Sequence, residues 1–472
     1  MEDARIKMDK VKNFLKDLTW EKINWSKSYK IVRQLQIKIY RAQKEGKKEK
    51  VYEWQKQLLY GVHSKLIAVA IASTLEPYKK KSLVSNSKSI SNLERLKVAI
   101  NLKISEKKVK YTGRKELKSL YQNSKQALWR LALDPQYENL FKKTCYGSRT
   151  TRTIWDAIDY LSSTLESSDY IHFADLKKSF KYINPKVFME KLDLHSRLKK
   201  ELNGFVNSGF FISEEMNFIK TEKSLLLPLF RDIIFQELNS CILEVMKSIH
   251  HLRPRPVIFL IHGYDYLIAG ENEVTVTACS SEVNNFVNKL CSNSLKISLR
   301  TKSYSDGLEF LGFYLTKRKK TSEPIVTPKK KLQRKLIEQN RKIINLNKSL
   351  SSYKLINKLT PKIIDWLFYF KYYNCKHIFE RLDNVIHSQL KTWVFRRTNT
   401  QSKIALKKKY FPEGKIYEFQ GRRYKDNWVL TGFEYSQADL GKMNFLPKIR
   451  WVRNITNIKQ FLYESLYETS YV

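Results

Sequence analysis

The chain has 472 residues, 42% of them hydrophobic, enough for two or three domains with sizeable cores and too apolar for a disordered polyelectrolyte. Its 88 Lys and Arg against 46 Asp and Glu leave a net charge of +42, an excess that works against compactness. A polyanionic partner is the simplest reason for it, either nucleic acid or an anionic membrane surface. The 13% aromatic content favours RNA, because rings stack on unpaired bases. No window approaches an uninterrupted apolar span, so no membrane crossing is expected. Cys145, Cys241, Cys279, Cys291 and Cys375 form no Cys-x-x-Cys pair, which suits a reducing compartment and argues against a zinc ribbon. The amino terminus, MEDARIKMDK, has neither a secretory signal nor an Arg/Ser-rich transit pattern. Richness in Lys, Asn, Ile, Tyr, Phe and Leu points to an AT-biased genome such as an organelle's.

The first 75 residues read as helices. Ile31, Leu35, Ile39 and Ala42 form one stripe, and Val51, Trp54, Leu58 and Val62 begin a second after Gly46. Residues 77–118 read as an extended basic loop region with a short helix between Leu93 and Ile104. A helix over Gln126–Leu133 is expected to stop at Asp134–Pro135. Then CYGSRTTRTIWDAI turns through Gly147 into another helix, flanked by Arg149 and Arg152, which are either solvated charges or anion contacts near a helix start. In YIHFADLKKSFKYI a strand enters a helix, and Asp175 sits where the strand stops, followed by Lys177 and Lys178.

Residues 203–218 read as a hairpin, followed by a helix through Leu227, Phe230, Ile234 and Leu238. The stretch Val257–Gly270 reads as two apolar strands around Ile261-His262-Gly263-Tyr264-Asp265. The single carboxylate at that tip is either solvated or, if buried, in need of a partner or a metal. Gly307–Leu315 reads as another hairpin, and the basic, proline-punctuated Thr316–Leu336 as a domain boundary. Beyond it, Phe379, Leu382, Ile386, Leu390 and Trp393 form a long helical stripe of core character. It leads into Arg396, Arg397, Lys403, Lys407, Lys408, Lys409, Tyr410 and Phe411, a cluster of bases and rings that is the sharper signal.

In order and spacing these segments resemble the group II intron maturases, which join a reverse-transcriptase-like domain to a maturase domain, domain X. LTWEKINW and IVRQLQIKIYRAQ resemble the family's amino-terminal helices. ALDPQYENLFKKTCYGSRTTRTIWDAI, FADLKKSFKYI, LLLPLFRDIIFQELN and FLGF resemble successive motifs of the polymerase-like part. LINKLTPKIIDWLFYF, FERLDNVIHSQLKTWVFRR and SKIALKKKYF are similar to domain X. The resemblance implies an α+β fold, with right-hand fingers and palm and a mainly helical carboxy-terminal thumb or maturase domain. Its parts would be a helical fingers part over 1–76, degenerate fingers over 77–165, a palm over 166–320, a basic linker over 321–336 and domain X over 337–472.

The departures from the family pattern bear on function. Polymerisation in this fold needs carboxylates on two strands to hold two magnesium ions about 4 Å apart. Asp175 matches the first carboxylate, but the family's YADD turn falls on His262-Gly263-Tyr264-Asp265, so Tyr264 stands where an Asp is expected beside Asp265. A phenol is a poor magnesium ligand at neutral pH. The PQGG turn falls on Thr221-Glu222-Lys223-Ser224, and an HNH nuclease segment is not expected.

The resemblance therefore implies an RNA-binding splicing cofactor with no active catalytic residues, no metal and no cofactor of its own, magnesium residing on the intron RNA. Its partner would be intron RNA, its host intron above all, with no membrane contact. Arg396, Arg397, Lys403, Lys407, Lys408, Lys409 and Tyr410 would form the main RNA surface, and Arg149, Arg152, Lys177 and Lys178 a second tier. A residually active reverse transcriptase and a general basic RNA chaperone are the alternatives. A plastid setting is expected, with the mitochondrion as alternative. Oligomeric state and intron identity are not legible in the chain.

Overall fold

The computed structural model describes residues 19–75, 90–104, 114–141, 145–146, 152–166, 169–177, 189–205, 224–249, 257–290, 300–318, 323–373, 375–397, 402–436 and 439–452. The chain divides into two units, Met1–Tyr304 and Ser305–Val472.

In the first unit, Asn24 accepts the Lys27 amide at 2.9 Å and starts helix α1 (Trp25–Lys44), which buries Val32, Ile39 and Ala42. Helices α2 (Lys48–Tyr60), α3 (Val62–Leu75), α4 (Asn92–Asn101) and α5 (Lys115–Leu140) follow. A capping box between Ser91 and Glu94 starts α4. Helix α3 is apolar along most of its length, with Leu66, Ile67, Ala68, Val69 and Ala72 buried, and it packs against α5.

The helix expected to end at Asp134–Pro135 runs on to Leu140. Pro135 has no N–H to give the Leu131 carbonyl. The Gln36 side-chain amide, from α1, donates to that carbonyl at 3.1 Å. Gln55, from α2, donates to the next carbonyl, Ala132, at 3.3 Å and to Gln136 Oε1 at 2.7 Å. Two amides from neighbouring helices therefore satisfy the break that the sequence signals, and the buried flank of Leu133, Gln136 and Tyr137 keeps the chain helical.

Helix α6 (Ile154–Thr164) starts at a capping box of Thr153 and Asp156. Helix α7 (Ser196–Phe205) takes in Asn203–Phe205, where a hairpin is expected from the sequence; the rest of that stretch lies outside the described residues. Helices α8 (Leu227–Ile249) and α9 (Glu273–Leu290) pack on one another, and α9 lies on a five-stranded sheet. The sheet holds β1 (Cys145–Tyr146), β2 (Tyr170–Asp175), β3 (Ile258–His262), β4 (Asp265–Gly270) and β5 (Arg300–Ser303) in the order β1-β3-β4-β2-β5. Only the β1–β3 pair is parallel. The strand expected at Asp175 and the hairpin at Val257–Gly270 are both present, and they lie side by side.

In the second unit β6 (Leu308–Phe310) turns through Leu311 and Gly312, both at positive φ, into β7 (Phe313–Lys317), and β8 (Pro324–Pro328) completes a three-stranded sheet. The expected linker over 321–336 is thus structured where it is described: it holds β8 and the first turns of helix α10 (Lys330–Leu346). Helices α11 (Ser352–Phe370), α12 (Lys376–Phe395) and α13 (Lys403–Tyr410) follow. The long stripe read from the sequence is buried on α12. Two hairpins come next, β9 (Ile416–Phe419) with β10 (Arg422–Lys425) and β11 (Thr431–Ser436) with β12 (Asp439–Phe445). Buried Asp383 on α12 accepts the backbone N–H of Ile449 at 2.7 Å and of Arg450 at 2.9 Å, fastening the last described turn to the helices.

Gly432 on β11 lies against the start of α11, where a Cβ would come within 2.3 Å of the Tyr353 backbone nitrogen. Gly432→Ala should therefore destabilise the protein by about 1–3 kcal/mol, the usual cost of overpacking, in denaturant unfolding. An unchanged midpoint would show that β11 does not pack on this helix.

Candidate functional site

Two features bear on function, one in each unit. In the first, antiparallel pairing of β2 and β4 sets Asp175 directly opposite Asp265. The hairpin closes through Gly263, whose φ of +65° favours glycine, and the Leu176 N–H donates to the Tyr264 carbonyl at 2.8 Å. Asp175 is exposed and its Oδ1 accepts the Lys177 backbone N–H at 2.7 Å, while Asp265 is half-buried.

The residue that sequence reasoning missed is Arg231 on α8. It is 7% exposed and paired at 2.8 Å with Asp232, which is fully buried. Its guanidinium lies 4.9 Å from the centre of the Tyr264 ring, and its Nη1 would sit 3.5 Å from a Cβ on Gly263. Burial, and then the Asp175 carboxylate, raise the Asp265 carboxyl to about 6, against the opposing pull of Arg300 and Arg231. Burial, reinforced by Arg231, pushes His262 down to about 4. Burial also raises the Tyr264 phenol above its ordinary value.

These residues do not fit the pair of divalent ions that the resemblance drawn from the sequence would require of an active polymerase. The turn offers one carboxylate, its neighbour is a phenol that burial keeps protonated, and a fixed cation already lies beneath both. Among the described residues no three His, Cys, Asp or Glu side chains converge as metal ligands. The one signal in the sequence was a charged Arg-Asp pair inside the otherwise apolar LLLPLFRDIIF.

In the second unit the basic cluster read from the sequence divides in two. Arg396, Lys403, Lys408 and Lys409 are exposed. Arg397 is turned inward: its guanidinium donates to the carbonyls of Lys348 and Leu350 and lies 4.4 Å from the centre of the Trp393 ring. Lys407 pairs with Glu413 and lies 4.7 Å from the centre of the Trp428 ring. Tyr410 is 9% exposed and Phe411 fully buried, so neither ring is open to a base. Helix α10 adds exposed Lys330, Lys331, Arg334, Lys335, Arg341 and Lys342, with Gln333, Leu336, Asn340 and Ile344 on its buried side. The three- and four-residue spacing of those buried positions could have revealed this helix, but the prolines before it argued for a linker. In the first unit Arg152 lies 5.4 Å from the centre of the Tyr146 ring, and Lys177 is exposed; Arg149 and Lys178 lie outside the described residues.

Comparison with known proteins gives two family matches. Residues 20–102 match the N-terminal domain of reverse transcriptase, and residues 329–411 match the group II intron maturase-specific domain. No match is found among curated proteins. Among solved structures the chain is similar to telomerase from Candida albicans in complex with the TWJ fragment of telomeric RNA, at 10% identity and a TM-score of 0.32, over 63% of this chain and 58% of that one. The chain thus spans less than two thirds of that neighbour. Near its two ends the chain is thus similar to the N-terminal domain of reverse transcriptase and to the group II intron maturase-specific domain.

Proposed function

We propose that this protein binds folded group II intron RNA and promotes its splicing by stabilising the active RNA fold, without copying RNA into DNA. The two family matches support the first half of the reading. The observation that carries the second is Arg231, a buried cation lying against Tyr264 beneath the turn where a polymerase needs anionic ligands. In this reading the five-stranded sheet is the palm and the helices of the second unit are the thumb. The RNA's own active site, with its own magnesium, performs the transesterifications. The protein neutralises phosphates crowded in the folded RNA, and its higher affinity for the active fold shifts the RNA population toward it. A plastid setting, in accord with the composition, belongs to the same proposal.

Primer extension on an RNA template should give no magnesium-dependent cDNA, and Asp175→Asn should leave splicing of the bound intron unchanged. cDNA synthesis abolished by Asp175→Asn would overturn the reading.

RNA affinity should fall on the order of a thousandfold between about 50 and 200 mM salt, as expected for several phosphate contacts. Replacing exposed Lys408 and Lys409 by Gln should lower the logarithmic salt slope by about two. A flat salt response in the wild type would remove these lysines from the interface.

The folded chain holds the Asp265 proton more tightly than the unfolded chain, because its carboxyl rises from 3.8 to about 6 on folding. Ionisation of Asp265 therefore lowers stability as pH rises from about 4 to about 6, and the loss persists above that. Asp265→Asn should flatten this fall and raise stability at neutral pH by about 1–2 kcal/mol, after allowance for solvent screening. Denaturant unfolding across that range checks it; a variant less stable than wild type at neutral pH would show that the charged form is the favoured one.

A further inference from the structure

Tyr410, expected on the RNA surface, is shut off, but a neighbouring ring is not. Tyr410 and Phe411 are buried, whereas Trp428, in the segment between β10 and β11, is only half-buried beside the same basic cluster. The indole is held by its surroundings. His387 meets it at 5.0 Å and 72°, Phe411 at 5.7 Å and 54°, and its own backbone N–H donates to Asp426 Oδ1 at 2.9 Å. Two lysines from two different helices converge on it, Lys407 Nζ at 4.7 Å from the ring centre and Lys391 Nζ at 5.5 Å. Lys391 is exposed and pairs with no acid among the described residues. The acid nearest in sequence, Asp426, is already neutralised by Lys448 at 2.7 Å and Arg450 at 2.8 Å.

We propose that Trp428, Lys391 and Lys407 form a nucleotide-binding site in which the indole stacks an unpaired RNA base and the two ammonium groups take the flanking phosphates. The inference rests on the RNA-binding reading above and adds to it a place and a preference for unpaired bases. A lysine resting on an indole gives up little when it leaves. An exposed ammonium over a ring is worth roughly two- to fivefold in affinity, a stacked base roughly five- to a hundredfold. The base therefore displaces the lysine heads, which remain close enough to reach the sugar–phosphate chain on either side. A double helix hides its base faces and gains nothing from the indole.

The test compares full-length wild-type protein with Trp428→Leu, Trp428→Phe and Lys391→Gln, by fluorescence anisotropy with oligouridine and with an RNA duplex of equal phosphate count. Trp428→Leu should weaken oligouridine binding roughly five- to a hundredfold, leave duplex binding within about twofold and keep the salt slope. Trp428→Phe should retain most of the affinity, and Lys391→Gln should lower the salt slope by about one. Equal losses on both RNAs, or none on either, would overturn the site. Should Trp428→Leu fail to fold, photocrosslinking of wild type to a 4-thiouridine-substituted oligouridine decides instead: attachment at Trp428 supports the site, and attachment only elsewhere overturns it. Wild-type protein that binds neither RNA in a salt-sensitive way would sink the RNA-binding reading itself.

Discussion

The guanidinium of Arg231 constrains everything around it. An arginine almost without solvent needs partners for its planar guanidinium within the fold, and so it dictates the chemistry of its neighbours. Asp232 answers it directly, Tyr264 offers it a ring face, and Gly263 leaves it room. A buried ion pair of this kind adds little net stability, since desolvation offsets most of the attraction. Its effect is on what the turn can accept. A divalent ion beside it would face like charge at close range in a medium that screens poorly. At this turn a phenol follows the glycine, and the helix against it carries a buried cation.

The same physics separates the basic residues of the second unit into two kinds. Arg397 is spent on carbonyls and a ring within the fold, so its charge organises the protein, and Lys407 shares its charge between Glu413 and the Trp428 ring. Lys403, Lys408, Lys409 and the outward side of α10 have solvent before them, and their mutual repulsion is relieved by salt or by a polyanion. A large net charge in the sequence does not show which lysines belong to which group. Burial does.

Much of the fold was legible where periodicity was strong. The strand ending at Asp175, the Val257–Gly270 hairpin and the α12 stripe all stand as read, because each buries one consistent face. Two of the failures share a cause, which is reliance on proline as punctuation. Pro135 sits inside a helix and Pro324 and Pro328 bound a strand, since contacts distant in sequence supply what the local backbone lacks. The absence of an acid at Tyr264 could be read from one position against a motif. Arg231 could not, because nothing local says that a charge within an apolar helix will face a turn some thirty residues later. Tyr410, expected on the RNA surface, is buried for a similar reason: ring identity is local, and ring exposure is a property of the packed chain.

The carbonyl of Leu131 has a consequence for how the first unit assembles. Helix α5 cannot complete itself, because the donor that would close its ladder at Pro135 comes from Gln36, ninety-five positions earlier in the chain. Until α1 docks, that oxygen has only water, and the two halves of α5 are free to hinge about the proline. Docking of α1 thus gives that oxygen a donor from outside its own helix, at the one place where the helix lacks its own.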